Sequence, residues 1–154
     1  MPQPLILLVE DDASTLTFHK KILESQGFRV DSASNGTEAG FKLNRTNYDL
    51  IVSDIQMPYT DGITLVNNIR KGMGNNSIPI VIVSGVLSKR YILELAKRNI
   101  AKIFSKPIKP HEFATYINGL MSNTGDPSKL NGIVPPQAKT EAEPIEESEE
   151  FEIN

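Results

Sequence analysis

The sequence has no cysteine and no tryptophan, and only two histidines among its 154 residues. Without cysteine, the chain has no disulfide framework, no thiolate metal site and no thiol nucleophile. It also lacks a glycine-rich phosphate loop, a basic nucleic-acid motif and an internal repeat. The apolar run after the amino terminus, Leu5–Val9, is far too short for a signal peptide or a membrane span. We therefore expect a cytoplasmic protein that contacts neither membranes nor nucleic acid directly.

Charge is unevenly distributed along the chain. Residues 1–122 carry 14 Lys and Arg against 11 Asp and Glu, whereas residues 123–154 carry 2 against 8. The first part is therefore +3 and the second -6, and hydrophobic periodicity ends where the acidic part begins. We predict one folded domain over residues 1–122, followed by an acidic, disordered tail over residues 123–154.

Apolar runs alternate with amphipathic stretches through the first 122 residues. This pattern predicts a parallel sheet with helices on both faces. The predicted strands are Leu5–Val9, Phe28–Ala33, a run starting at Asp49, Ile78–Val83 and Ala101–Ser105. The predicted helices are Asp12–Gln26, Asn35–Asn44, a run through Ile63 and Ile69, Ser88–Arg98, and a last helix with Pro110 in its first turn.

Several finer expectations concern the helices. Asp12 or Ser14 is expected to cap the first helix, and Asn99 to end the fourth in a left-handed conformation. Phe18 in the first helix and Phe41 in the second are expected to be available for burial. The two histidines, His19 and His111, are interpreted as surface or packing residues. The lysines and arginines between Lys89 and Lys109 are interpreted as a mostly solvated face.

The stretch Asp49–Gly62 contains one aspartate, Asp54, directly after a predicted strand. Its apolar residues 50–52 predict a strand buried on both faces, and Pro58 and Gly62 stop that strand. Asp54 should therefore lie at the strand's carboxyl end, which is the binding edge of an open α/β sheet. The alternative is an ordinary solvated acid before a turn.

Polar residues follow three other predicted strands as well. Glu10, Asp11 and Asp12 follow the first, Ser84 the fourth and Lys106 the fifth. If the acidic strand ends are neighbours, their carboxylates repel one another unless a cation lies among them, and Mg²⁺ suits such oxygen ligands. Ser84 and Lys106 then add a hydroxyl and an ammonium for a phosphoryl group. Taken singly, Ser84 is better interpreted as a helix cap and Lys106 as a solvated lysine. Taken together with three acids on matching strand ends, both interpretations are disfavoured.

The chain resembles the receiver domains of two-component response regulators, and in particular stand-alone chemotaxis-regulator-like ones. The resemblance rests on four motifs in order, over about residues 4–122: L-L-V-E-D-D, S-D-I-Q-M-P-Y-T-D-G, I-V-I-V-S-G and F-S-K-P-I. It implies a flavodoxin-like three-layer sandwich with five parallel strands in the order 2-1-3-4-5 and five helices.

The resemblance also implies roles for single residues. Asp54 would be the phosphoacceptor, and Glu10, Asp11, Asp54 and the backbone carbonyl of Gln56 would bind Mg²⁺. Ser84, Gly85 and Lys106 would receive the phosphoryl group, with Asp12 left to cap the helix. One departure is Ile103, at a position where the family usually has Tyr or Phe; the aromatic residue here is Phe104, on the opposite side of the strand.

These observations favour a signalling switch over two other classes of protein. The switch would take a phosphoryl group from a histidine kinase or phosphotransfer protein, and then alter the binding of a downstream protein through the face of residues 84–110. The alternative is a binding module with the same fold that acts independently of phosphorylation. We do not expect an enzyme beyond self-catalysed transfer and loss of the phosphoryl group, because nothing forms a substrate pocket.

Overall fold

The computed structural model describes residues 3–57, 61–72 and 77–122. In this part of the chain, five strands alternate with five helices, as the sequence predicts. The strands are β1 (Leu5–Val9), β2 (Arg29–Ala33), β3 (Leu50–Ser53), β4 (Ile80–Ser84) and β5 (Lys102–Ser105). The helices are α1 (Ala13–Ser25), α2 (Gly36–Leu43), α3 (Gly62–Arg70), α4 (Lys89–Ala96) and α5 (Pro110–Ser122).

All five strands form one parallel sheet in the order β2-β1-β3-β4-β5. The order and the fold class are thus confirmed. The register pairs Val9 with Ser53 and Ser84 with Ser105, so the residues that follow these strands meet at one edge. Parallel pairing also explains the unbroken aliphatic runs, because both faces of such a sheet are covered by helices.

Two hydrophobic clusters occupy the two faces of the sheet. Leu7 and Ile51 pack with residues of α2, α3 and α4, whereas Ile6 and Leu50 pack with residues of α1 and α5. Successive strand residues point to opposite faces, which divides each strand between the clusters. The result is the predicted three-layer sandwich.

Side-chain caps fix where the helices begin. The Asp12 carboxylate accepts from the Thr15 amide at 2.9 Å, so Asp12 and not Ser14 is the cap of α1. Ser88 caps α4 through the Tyr91 amide at 3.2 Å. Asn99 has a φ of 60°, which confirms its predicted left-handed conformation after α4.

Two predicted burials are wrong. Phe18 is 47% exposed and Phe41 is 63% exposed. In α2 the buried positions include Ala39 and Leu43, four residues apart, and a helical rotation of about 100° per residue turns Phe41 away from them. In α1, His19 takes the inward position next to Phe18; it is 3% exposed and lies against Phe113 with ring centroids 6.1 Å apart, a packing role.

Some predicted boundaries shift by one or two residues. Strand β4 begins at Ile80 rather than Ile78, because Pro79 has no N–H to donate and contributes only its carbonyl, to Ile51. Helix α4 ends at Ala96, with Lys97 as its C-cap. The predicted tail over residues 123–154 lies outside the described residues. No described helix combines the length and apolarity that crossing a membrane demands.

Two residues depart from the expected, mostly solvated basic face. Arg98 donates to the Asn67 side chain and to the Glu94 carbonyl, which ties the end of α4 to α3. Lys102 lies 5.7 Å from the ring centroids of both Phe104 and Tyr116. Both side chains therefore have contacts within the fold, unlike the exposed Lys89 and Arg90.

Candidate functional site

The carboxyl ends of β1, β3, β4 and β5 bring the predicted site residues together. The Asp54 amide donates to the Val9 carbonyl at 3.1 Å, and the Lys106 amide donates to the Ser84 carbonyl at 2.9 Å. These ladder bonds extend the parallel pairing by one residue past each strand. A cleft of about 660 Å³ opens at this edge, lined by Glu10, Asp11, Asp12, Asp54, Gln56, Met57, Asp61, Ser84, Gly85, Val86, Tyr91 and Lys106.

Both carboxylate oxygens of Asp54 accept hydrogen bonds. Oδ1 accepts from the Ile55 amide at 2.6 Å and, more weakly, from the Gln56 amide at 3.4 Å. Oδ2 accepts from the Lys106 ammonium at 2.9 Å. The residue is only 7% exposed, so it is not an ordinary solvated loop acid.

Lys106 forms a cationic bridge between two acids. Its Nζ lies 2.7 Å from Glu10 Oε1 and 2.9 Å from Asp54 Oδ2. Burial alone would lower the pKa of Lys106, but the hydrogen bonds to both carboxylates raise it above its usual value. Burial raises the pKa of Glu10, against the opposing effect of Lys106. The interpretation of Lys106 as a merely solvated lysine is wrong.

The acidic cluster fits a divalent cation. Glu10, Asp11 and Asp54 each offer a carboxylate oxygen, and these atoms lie within 4.8 Å of one another. Three carboxylates face one nearby ammonium, which leaves negative charge that a cation would balance. Asp11 is exposed and Glu10 is 3% exposed, so the site is open on one side.

Ser84 and Gly85 lie at the same edge. Ser84 is 1% exposed, and its Oγ accepts from the Val86 amide at 3.2 Å. It ends β4 and caps no helix, since Ser88 is the cap of α4. A Cβ built on Gly85 would lie 4.0 Å from Lys106 Cβ, an ordinary contact. The space there is thus not tight, and the implied role of Gly85 in keeping access open stays a prediction.

Two residues near the site were missed as site residues by the sequence reasoning. A Cβ on Gly62 would lie 2.3 Å from the Asp54 carbonyl oxygen, and the Gly62 amide donates to the Ile55 carbonyl at 2.6 Å. Gly62 therefore supports the backbone that carries the carboxylate, whereas the sequence indicated only a turn. Tyr91 of α4 also lines the cleft. The sequence indicated only that this residue belongs to an amphipathic helix, not that it lies at the site.

Ile103 and Phe104 point to opposite faces of the sheet, as predicted. Ile103 packs with the cluster of α2, α3 and α4, and Phe104 with that of α1 and α5. Phe104 contacts Phe113 edge-on, with ring centroids 5.2 Å apart. No aromatic ring therefore stands at position 103, on the face that Tyr91 and Leu87 share.

The sequence from residue 6 to residue 118 matches the family model described as the response regulator receiver domain. This match spans most of the chain and includes every residue of the cluster described above. The chain belongs to the response regulator receiver domain family. It is thus a receiver domain of the kind found in two-component response regulators, a class whose acidic active site binds Mg²⁺.

Curated relatives of this receiver domain include transcriptional regulators from two bacteria. Transcriptional regulatory protein ResD of Bacillus subtilis is 29% identical over 130 residues, covering 84% of this chain and 53% of the relative. Transcriptional regulatory protein RprY of Bacteroides fragilis is 34% identical over 117 residues, covering 75% and 48%. The chain thus spans about half the length of these relatives.

Solved receiver domains have the same fold. The Francisella response regulator 1452 receiver domain has a TM-score of 0.72 and 34% identity, covering 79% of this chain and 99% of that one. The receiver domain of the sensor histidine kinase PA1611 from Pseudomonas aeruginosa PAO1 has a TM-score of 0.71 and 25% identity, with coverage of 79% and 99%. That structure has a magnesium ion coordinated in its active site cleft.

Proposed function

We propose that this receiver domain is a phosphorylation-dependent switch whose phosphoacceptor is Asp54. The observation that carries the proposal is the position of the Asp54 carboxylate, nearly buried, bonded to Lys106 and beside two further acids. The donor would be the phosphohistidine of a histidine kinase or phosphotransfer protein. The change would alter the affinity for a downstream protein, with the face of residues 84–110 as the first candidate surface.

The transfer requires little from the protein beyond placement and charge. A carboxylate oxygen of Asp54 attacks phosphorus, forming an acyl phosphate, while the P–N bond of the donor breaks and its electron pair stays on the imidazole. The nucleophile is a carboxylate oxygen rather than a hydroxyl, so the step needs no general base. Lys106 supplies a fixed positive charge beside the acceptor, and Ser84 a hydroxyl for a phosphoryl oxygen.

Glu10, Asp11, Asp54 and the backbone carbonyl of Gln56 would hold Mg²⁺ in this receiver domain. The fit rests on the three clustered carboxylates, and the magnesium-bound PA1611 receiver domain supports it. The bound ion supplies neutralisation of the charge that develops on the phosphoryl oxygens. Within this chain, the activity would be limited to self-catalysed acceptance and loss of the phosphoryl group.

A second candidate function is a receiver-fold binding module that acts independently of phosphorylation. The observation that favours it is Ile103, because the aromatic side chain expected there instead projects from position 104 to the other face. The candidates differ in one measurable property. A switch changes its partner affinity on phosphorylation of Asp54, whereas a constitutive module does not.

Treatment with acetyl phosphate tests the assignment, because a small donor needs no protein recognition. We expect intact-mass spectrometry to show one phosphoryl adduct in Mg²⁺ and none in EDTA. The adduct should disappear in Asp54→Ala but remain in Asp49→Asn, an acid at the opposite end of the same strand. An adduct that survives in Asp54→Ala, or forms equally well in EDTA, would refute the proposal.

A further inference from the structure

Helix α4 presents a basic stripe with an apolar centre to the outside of the fold. Lys89, Leu93 and Lys97 recur every four residues, so they share one side of the helix, and Arg90 lies beside them. Leu93 is 55% exposed, and the Lys97 side chain is 70% exposed. We call these four residues the α4 stripe.

The positive charge of the α4 stripe is largely uncompensated. Within the described ranges, no ion pair engages Lys89 or Arg90, and Lys97 has only Glu94, which it shares with Arg98. An exposed pair of this kind contributes little to stability and is easily exchanged. A leucine exposed among cations suits a ligand that combines carboxylates with apolar side chains.

The same chain contains a segment with that composition. Residues 141–153 include seven glutamates and no lysine or arginine, and they are interspersed with Ile145, Phe151 and Ile153. Eighteen residues lie between Ser122, at the end of α5, and Glu141, a length that spans up to about 60 Å when extended. A compact domain of about 120 residues is roughly 35 Å across, so the segment can reach α4 from the end of α5.

We propose that residues 141–153 bind the α4 stripe of the same molecule. Charge complementarity brings the segment to the stripe, and its apolar side chains then cover Leu93. Covalent attachment raises the local concentration of the segment, so individually weak contacts suffice. The contact requires no phosphorylation.

Paramagnetic relaxation in the full-length chain tests the contact. The absence of cysteine allows a nitroxide to be attached uniquely at Ser148→Cys, between two glutamates. We expect amide signals of residues 89–97 to lose roughly half of their intensity at low salt, and those of α2 to be unaffected. The loss should shrink as the Debye length falls from about 30 Å at 0.01 M salt to about 8 Å at 0.15 M.

Charge reversal separates specific binding from mere proximity. Lys89→Glu/Arg90→Glu should abolish the broadening, whereas Lys20→Glu/Lys21→Glu, the same change in charge on α1, should not. Uniform signals at low salt, or broadening that survives reversal of the stripe, would overturn the proposal. So would broadening of an isotope-labelled chain by spin label attached only to a second, unlabelled chain, because that outcome indicates association between copies.

Discussion

At the scale of single residues, the two oxygens of Asp54 are in different surroundings. Backbone amides engage Oδ1, whereas the Lys106 ammonium engages Oδ2 and is shared with Glu10. Lys106 therefore screens two acids at once, and the cleft beyond it is lined by Gln56 and Val86. The residues proposed to receive the phosphoryl group, Ser84 and Lys106, line the same cleft as Gln56 and Val86.

Val86 is the residue through which we expect the lifetime of the phosphorylated state to change. It is 39% exposed at the cleft, and its side chain cannot orient a water molecule. In Val86→Asn and Val86→Glu, a new hydrogen bond to the attacking water should speed phosphoryl loss by up to about tenfold, with little effect on uptake. The measurement is the decay of the intact-mass adduct after the donor is removed.

The apolar variant Val86→Ile provides the control for this prediction. It changes the shape at the same position without adding a polar atom, so its decay should match that of the unaltered chain. Equal decay rates in Val86→Asn, Val86→Glu and Val86→Ile would show that position 86 does not influence hydrolysis.

His19 is expected to make stability depend on pH. Burial lowers its pKa to about 4, whereas in the unfolded chain it binds a proton near pH 6.5. Between these values the unfolded state takes up the proton, so this contribution to stability is present above pH 6.5 and is lost as the pH falls toward 4. From about pH 7.5 to pH 5 the loss should be about 2 kcal/mol.

Urea unfolding of His19→Leu at both pH values tests this contribution. The variant should lose less stability than the unaltered chain on acidification, by about the 2 kcal/mol assigned to His19. The exposed His111 offers a matched control, because His111→Leu should retain the full pH dependence. An unaltered pH dependence in His19→Leu would contradict the prediction.

At the scale of secondary-structure elements, strand ends were predicted better than helix faces. Unbroken aliphatic runs mark buried parallel strands, so the edge with Asp54, Ser84 and Lys106 followed directly. Helix orientation was less certain, because Phe18 and Phe41 differ by a single position from inward residues. The bridge from Lys106 to Glu10 joins residues 96 apart, and no local pattern specifies which side chains meet over that separation.

A methyl group added at Gly62, the first residue of α3, should destabilise the fold. In Gly62→Ala the Cβ would lie 2.3 Å from the Asp54 carbonyl oxygen and 2.6 Å from Ile55 Cα, so the backbone at the proposed phosphoacceptor must shift. We expect a loss of about 1–3 kcal/mol in the free energy of unfolding, together with slower uptake from acetyl phosphate.

Gly119 provides the matched comparison for Gly62. It lies in α5, and a methyl group added there would have no described atom within 4 Å, so Gly119→Ala should stabilise the domain by about 0.5–1 kcal/mol through helix propensity. Urea unfolding measures the stability of both variants, and acetyl phosphate treatment measures their phosphoryl uptake. A Gly62→Ala protein as stable and as reactive as Gly119→Ala would disprove the steric argument.

At the scale of the whole molecule, the apolar core of the sandwich holds together a site whose like charges repel one another. Two extensive apolar clusters cover the faces of the sheet, while the acids gather at one edge. Like charges held close together lower the stability of the metal-free fold, and a cation bound only by the folded state restores it. Stability and metal binding should therefore be coupled through Asp11, the exposed acid of the cluster.

We expect the effect of Asp11→Asn on the free energy of unfolding to have opposite signs without and with Mg²⁺. In EDTA it removes a repulsive charge, so urea unfolding should show equal or higher stability than the unaltered chain, by up to about 1 kcal/mol. At a Mg²⁺ concentration of about 100 times the dissociation constant, the unaltered chain should gain about 2.7 kcal/mol. Asp11→Asn should lose most of that gain, because it lacks one ligand. Glu24→Gln, the same charge change at an exposed position of α1, should respond to Mg²⁺ like the unaltered chain. An equal Mg²⁺ response in Asp11→Asn would remove Asp11 from the metal site.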